Sequence, residues 1–390
     1  MSGSSAGRAE SSNNRGAMQS DAKPTFRSVK TSMAHAALRS KRVWVGLAIA
    51  AACLFFLFRE TDWAALRTAL LQADYRWIVI ALPVFIAGYF VRGLRWHHLL
   101  APVRRVPTRA LMPYLVIGFM ANNVLPGRAG EFIRPYLAGE RLGISRSASF
   151  ATVVLERIFD GLTMLAIFGI ASAFLSTRVE RVVMDPTFMI FGHSGAEFYR
   201  WIRLSILAAT GIFAGLLLAA FAAIHFKEHS LALATRLAKQ LPGTLHTKVE
   251  DILHRFVSGL EVLRSWVDLV RVFALSLLAW MLEGATYYLV AQGFHLTPSF
   301  GSILILMALV NLAIMVPSSP GGWGPFEVAG VGYLKFLRVP EPAAIAYVLV
   351  VHSIIIVPIT AWGGYFMARQ GLSLGDIERR KQAADAGAPP

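Results

Sequence analysis

The sequence predicts an all-α polytopic membrane protein with about six full transmembrane helices and two re-entrant helical hairpins, in an inverted-repeat arrangement. Composition is the first reason. Of 390 residues, 55% are hydrophobic and 16% charged, and the mean hydropathy is +0.54; a soluble chain carries about a quarter charged residues. The second reason is that apolar residues fall in runs of roughly 16 to 25. No water reaches the bilayer core, so every amide in such a run must be satisfied within its own segment, as in a helix. Alternating ten-residue strands are absent, which excludes an outer-membrane barrel. The third is a pair of Gly/Pro-interrupted apolar segments at corresponding places in two halves, a pattern of inverted-repeat transporters.

The formal net charge of +15 does not indicate nucleic acid. The basic residues stand beside apolar runs, where they set topology and face anionic lipid. The single cysteine, Cys53, allows neither an intrachain disulfide nor a cysteine-built metal site. No nucleotide-binding loop of the form GxxxxGK(S/T) occurs, and no cofactor is expected.

Residues 1–42 carry eight Lys/Arg against Glu10 and Asp21 and lack an apolar period. They are expected to form a disordered, basic cytoplasmic tail. Val43–Phe58 then reads as an uncleaved signal anchor, because the leader before it is too long for a signal-peptide n-region. The transmembrane domain, 43–368, continues with apolar segments near 77–94, 110–126, 148–175, 201–225, 269–293, 300–317 and 343–367. The stretch 92–109 holds Arg92, Arg95, Arg104, Arg105 and Arg109 with no acid, which places it in the cytoplasm. Loop 175–200 balances Arg178, Arg181 and Arg200 against Glu180, Asp185 and Glu197 and suits the outside. Within the linker 227–268, Val249, Ile252, Leu253, Phe256, Val257, Leu260, Leu263 and Trp266 form one apolar stripe. Opposite it stand Lys248, Glu250, Asp251, Arg255, Glu261 and Arg264, as in an amphipathic helix at the cytoplasmic interface. The tail 369–390, with Arg369, Arg379, Arg380 and Lys381, is cytoplasmic by the same rule.

For 227–268 to lie inside, two apolar segments must turn back. The segment 110–126 enters from the cytoplasm, breaks at Pro126-Gly127 and returns by Arg141–Arg146. The segment 300–317 enters from outside, breaks over Pro317–Gly324 and returns near Arg338. The units of about 77–174 and 269–367 then run in opposite orientations. Their break motifs agree: Pro126-Gly127-Arg-Ala-Gly130-Glu131 in one, Pro320-Gly321-Gly-Trp-Gly324-Pro-Phe-Glu327 in the other.

Ionisable residues inside the spans mark the candidate site. Glu156 and Asp160 share a helix face, and Arg157 reaches Asp160 across one turn. At the bilayer centre each charge costs roughly 2.5–3.5 kcal/mol on insertion scales. These groups, with Glu283 in 269–293, must therefore pair or face water, in a polar cavity or in a structural ion cluster nearer the surface. After the first break, Arg128 and Arg134 are spaced to fork onto phosphate oxygens, and Glu131 can orient an arginine or take a proton. A half-helix starting at Gly130 would aim free amides at an anion. Interfacial anchoring is the plainer alternative. In the second break Ser318, Ser319, Gly321, Gly322 and Gly324 expose backbone, and Glu327 lies one turn into the next helix; close helix packing would ask for the same glycines. Asn122, Asn123 and Asn311 are read as partners for freed backbone groups, His352 as a core histidine and His97-His98 as interfacial, with no metal-ligand set.

Three motifs in order carry a resemblance: Pro126-Gly-Arg-Ala-Gly-Glu131-Phe-Ile-Arg134, Leu155-Glu156-Arg157-Ile-Phe-Asp160, and Pro317-Ser-Ser-Pro-Gly-Gly-Trp-Gly324-Pro-Phe-Glu327. Over roughly residues 40–370 the chain resembles the lysylphosphatidylglycerol synthase transmembrane region, also called the flippase-like domain. The resemblance implies a multi-helix domain whose motif residues line a lipid pathway. In bifunctional members that domain moves aminoacylated phosphatidylglycerol between leaflets. Others stand alone, some linked to hopanoid, glycolipid or polyprenyl-lipid pathways. About 20 residues follow the last span here, so no aminoacyl-transferase domain and no covalent chemistry are expected.

The expected function is an integral lipid transporter of the cytoplasmic membrane, with both termini inside. It would move a polar, phosphate-bearing headgroup held by Arg128, Glu131, Arg134, Glu156, Arg157, Asp160, Glu283, Gly321, Gly322, Gly324 and Glu327. Membrane lipids are the expected partners, with lipid-biosynthesis enzymes a further possibility and nucleic acid excluded. The alternatives are a membrane-embedded transferase on a lipid-linked substrate and a non-transporting assembly partner in lipid biosynthesis.

Overall fold

The long apolar runs do form helices, and twelve helices stand among the described residues. The computed structural model describes residues 41–59, 61–125, 127–183, 189–190, 193–226, 228, 235–236, 243–314 and 319–372. Both expected tails, including Arg379, Arg380 and Lys381, lie outside this set apart from their innermost residues. So do Pro126, Asp185, Pro317 and Ser318, and the side chains of Arg178, Glu180, Arg181, Lys248 and Val249.

Helix α1 (Lys41–Phe58) takes in Lys41 and Arg42, which the sequence assigned to the tail. Helix α2 (Trp63–Gln72) follows at a bend of 91° and was not anticipated, since ten residues hold no long apolar run. Its start is fixed by Asp62, whose carboxylate accepts from the amides of Ala64 and Ala65. Helix α3 (Tyr75–Leu100) begins at Asp74 in the same way and outruns its expected segment at both ends. Then come α4 (Thr108–Val124), α5 (Gly130–Leu142), α6 (Arg146–Val183), α7 (Gly195–His225), α8 (Gly243–Gly259), α9 (Trp266–Gly293), α10 (Phe300–Ala313), α11 (Pro325–Phe336) and α12 (Glu341–Arg369).

Helices α3, α9 and α12 are each long and apolar enough to cross a membrane, and α1 with α2 makes a fourth if counted as one span. The chain is a polytopic helical membrane protein. The expected loop 175–200 is shorter than its charges suggested, because α6 runs on to Val183 and α7 begins at Gly195. No Gly or Pro interrupts the sequence between Gly169 and Pro186, so the helix propagates past its apolar stretch. A two-residue antiparallel ribbon, Met189–Ile190 with His193–Ser194, closes the turn and is the one departure from an all-helical fold among the described residues. The amphipathic stripe also divides. Helix α8 stops at Gly259, Leu263 falls in the 3-10 turn Glu261–Arg264, and Trp266 opens α9. Gly259 ends the helix where it crosses α6: a β-carbon there would strike the Ala148 carbonyl.

Helices α3 and α9 pack antiparallel, pinned at one end by the Asp74 amide donating to the Gly293 carbonyl at 2.8 Å. The short pairs α4–α5 and α10–α11 come in from opposite ends of these two. Both legs of the first pair open at the Leu100 end, where Arg104 donates to the Leu142 and Gly143 carbonyls. Both legs of the second open at the Asp74 end, where Phe294 meets Tyr347 edge-on. Their tips meet in the middle. Arg128 at the first tip donates to the Ile314 carbonyl at the second (3.1 Å), and a β-carbon on Gly321 would lie 3.3 Å from the Asn123 carbonyl.

Candidate functional site

Arg92 and Arg95 lie three residues apart on α3 and therefore share a face. They are not the cytoplasmic topology markers that the sequence suggested, because both are buried. Arg95 forks onto Asp160 of α6 (2.5 and 3.3 Å), reaches Glu156 at 3.1 Å and donates to Ser276 Oγ on α9 at 2.8 Å. Arg92 pairs with Glu283 of α9 at 2.5 Å and lies over the rings of Tyr89 and Trp280. Trp280 in turn donates its indole N–H to Asp160 at 3.0 Å. Helix α6 thus aims Glu156 and Asp160 at α3, as their i,i+4 spacing requires.

Arg134 of α5 completes this inner layer. It forks onto Glu156 (3.0 and 2.7 Å) and stacks on the Trp96 ring at 3.8 Å. Its guanidinium is thus committed to a carboxylate, and neither Arg134 nor Glu156 lines the cavity in front of this layer. The amides at the start of α5 are committed too. Glu131, Phe132 and Ile133 donate theirs to the carbonyls of Arg128 and Ala129, which removes the free helix N-terminus expected at Gly130.

In front of that layer, between the two tips, is a cavity of about 170 Å³, room for several waters or a small polar group. Arg92, Arg128, Glu131, Arg157, Asp160 and Glu283 line it, with Asn122, Asn123 and Asn311 and the backbone of Gly321 and Gly322. Arg157 bonds Glu156 at 2.6 Å and Asp160 at 3.0 Å, and Glu131 stands between Arg157 (3.9 Å) and Arg128 (3.5 Å). Five arginines (92, 95, 128, 134, 157) face four carboxylates (131, 156, 160, 283). One positive charge is left over. Three polar atoms of cavity-lining residues, Arg92 Nη1, Arg157 Nε and Asn122 Oδ1, are buried without a hydrogen-bond partner, an arrangement that costs free energy unless something fills the space.

Seven of the eleven expected site residues line this cavity: Arg128, Glu131, Arg157, Asp160, Glu283, Gly321 and Gly322. Gly324 does not. It adopts φ +95° and packs against Ala50 of α1, where a β-carbon would lie 2.9 Å from backbone. Glu327 is fully buried behind the tip, accepting from the Gly324 amide at 2.6 Å and meeting His352 Nδ1 at 2.5 Å. Asn123 and Asn122 do not serve backbone groups: Asn123 donates to Thr360 Oγ1, and Asn122 Oδ1 is one of the orphans. Asn311 donates to the Met307 carbonyl inside its own helix, not to a freed group, and to Glu283 Oε1 at 3.4 Å. Among the described residues no cluster of three or more His, Cys, Asp or Glu could hold a metal.

Residues 43–363 match the family model described as lysylphosphatidylglycerol synthase TM region. The chain belongs to that family. A UPF0104 membrane protein of Methanothermobacter thermautotrophicus is 29% identical over 76% of this chain and 84% of its own length. A UPF0104 membrane protein of Pyrococcus horikoshii is 25% identical over 73% of this chain and 84% of its own. Glycosyltransferase AglD of Haloferax volcanii is 25% identical over 84% of this chain, but the match spans only 54% of AglD. The shared region is thus the membrane domain itself, and the site described above lies wholly within it.

Proposed function

We propose that this member of the family carries a phosphate-bearing lipid headgroup between leaflets, with the cavity between the two tips as the headgroup's station. The observation that supports this most is the mismatch of charge and hydrogen bonding there: a surplus arginine and orphaned N–H donors around an open space. A phosphate supplies what is lacking, since guanidinium groups fork onto its oxygens. In this reading α1, α3, α6, α7, α9 and α12 are the six crossings. The pairs α4–α5 and α10–α11 are re-entrant hairpins, with legs of 12 to 17 residues, each short of the ~20 that a crossing needs. Their opposed entry makes the halves inverted repeats. The Leu100 end, with Arg104, Arg105 and Arg109 around it, is the cytoplasmic side, and no covalent chemistry is required of any residue.

The test is lipid movement in vesicles of phosphatidylethanolamine and phosphatidylglycerol holding the purified protein and a trace of fluorescent phosphatidylglycerol. Arg157→Ala and Glu131→Ala each slow movement at least tenfold. Unchanged movement in both variants sinks the reading. The likeness to a protein named glycosyltransferase supports a second reading, a transferase on a lipid-linked substrate; product formed from a lipid-linked acceptor in detergent would favour it.

A further inference from the structure

The buried pair behind the second tip has a part that the headgroup station does not use. We infer that Glu327 and His352 form a proton-binding site that holds the second tip in place, so that proton binding and headgroup binding are coupled; this rests on the transport reading above. The argument starts from donor and acceptor inventory. His352 Nε2 lies 3.0 Å from the Gly321 carbonyl, which can only accept, so Nε2 carries a proton. On the other side Nδ1 lies 2.5 Å from Glu327 Oε1. That contact is attractive only if one proton is shared between the two atoms. Take it away and a lone pair faces a carboxylate oxygen. Loss of that proton would break the contact that the structure holds.

What the contact holds is the tip. Glu327 Oε2 accepts from the Gly324 amide, His352 Nε2–H from the other end holds the Gly321 carbonyl, and Ser319 Oγ donates to the Trp323 carbonyl. Between these anchors Gly321, Gly322 and Gly324 all have positive φ, at +68°, +78° and +95°, a backbone only glycine adopts without strain. The imidazole itself is clamped between the rings of Phe326 (4.0 Å) and Trp323 (4.6 Å), so it cannot simply turn away. Gly321 and Gly322 are cavity wall. A change at the pair therefore reaches the cavity through one peptide segment. It also reaches the first tip, since the Asn123 carbonyl abuts Gly321, and Arg128 bonds the carbonyl of Ile314, the residue whose side chain packs on Gly322.

Other ionisable groups face the pair from two sides. Cys53 of α1 lies against Gly324, and across the Gly321 tip stand Arg92, Arg128, Glu131, Arg157, Asp160 and Glu283. The pair itself is almost fully buried, with side chains 0% and 2% exposed, so its proton must pass through the tip or the cavity. Coupling is reciprocal by thermodynamic necessity: a headgroup that alters the tip alters the proton's affinity by the same factor.

Glu327→Gln separates the ideas. Its amide accepts from Gly324 and donates to His352 Nδ1, fixing the proton-bound arrangement. In the vesicles above, a gradient of one pH unit should shift the steady-state leaflet ratio of labelled lipid about tenfold for one proton per lipid, and less than twofold in Glu327→Gln. In parallel, protein carrying nitrogen-labelled histidine is titrated by NMR, with His352 assigned by its loss in His352→Gln. His352 Nδ1 should change protonation in the wild type and not in Glu327→Gln. If the wild type moves lipid but its leaflet ratio ignores the gradient, the coupling is overturned and the transport reading stands. If no lipid moves under any condition, the transport reading falls, and a His352 ring that never titrates, or titrates equally in Glu327→Gln, removes the proton site as well.

Discussion

Asp160 and Glu131 are both carboxylates paired with arginines, yet burial gives them different work. Asp160 is bonded by Arg95, Arg157 and Trp280 with its side chain 8% exposed. Removing it breaks a buried pair, a loss of roughly 3–5 kcal/mol, and leaves Arg95 only one carboxylate, Glu156, which Arg134 and Arg157 already share. Glu131 faces the cavity at 22% exposure, on contacts of 3.5 and 3.9 Å, and pairs of that kind contribute under about 1 kcal/mol. Asp160→Ala is therefore expected to lower the thermal midpoint in detergent by many degrees, and Glu131→Ala by very little, whatever the latter does to lipid movement. Equal losses of stability would mean that the two layers are one structural cluster. The sequence could not separate these roles. It gave Arg134 the same standing as Arg128, although Arg134 is stacked on Trp96 and bound to Glu156, because spacing along a helix says nothing about which partner has already claimed a guanidinium. It also placed Arg92 and Arg95 in the cytoplasm, where the structure has them buried. The clue was available in Arg-x-x-Arg-Trp running straight on from an apolar helix, but the acids that pair with them, Glu156, Asp160 and Glu283, lie 61 or more residues away in the chain.

At the scale of elements, the first hairpin depends on close approach. Gly130 opens α5 against α4, and a β-carbon there would sit 1.8 Å from the Gly118 carbonyl, which neither backbone can yield without parting the legs. Gly130→Ala should consequently lower folded yield and thermal stability sharply. Gly332→Ala, whose β-carbon meets nothing within 4 Å in the middle of α11, should be tolerated, since alanine favours a helix. Similar behaviour of the two would show that the legs are looser than the structure has them. Here the sequence was informative. Helix α5 starts at Gly130, as its motif suggested, because Pro-Gly followed by a polar, helix-forming stretch admits few other local structures. Helix α2 was illegible for the opposite reason: ten residues opened by an aspartate cap carry too little pattern to stand out.

The whole molecule follows from where the hairpins open. With the first opening at the Leu100 end and the second at the Asp74 end, cysteines placed at Arg105 and Ser145 in a Cys53→Ser background should react with an impermeant thiol reagent from one side of a sealed vesicle. Cysteines at Thr297 and Arg338 should react only from the other. Labelling of Arg105 and Ser145 positions from opposite sides would turn the first hairpin into a crossing and remove the inverted repeat. Charge counting along the loops is what proposed this sidedness, because an excess of arginine at one set of loops is a property of the whole chain; the labelling is its test.

The buried ladder of ion pairs also says something about birth. Arg92 and Arg95 emerge from the ribosome long before Asp160, and Glu283 lies 191 residues beyond Arg92. Until those acids are made, the third helix must enter the bilayer with two naked guanidiniums, each an insertion cost of roughly 2.5–3.5 kcal/mol if it reached mid-depth. The nascent helix is therefore expected to rest shallow, its arginines at the lipid headgroups, until α6 brings Glu156 and Asp160 to Arg95 and α9 brings Glu283 to Arg92.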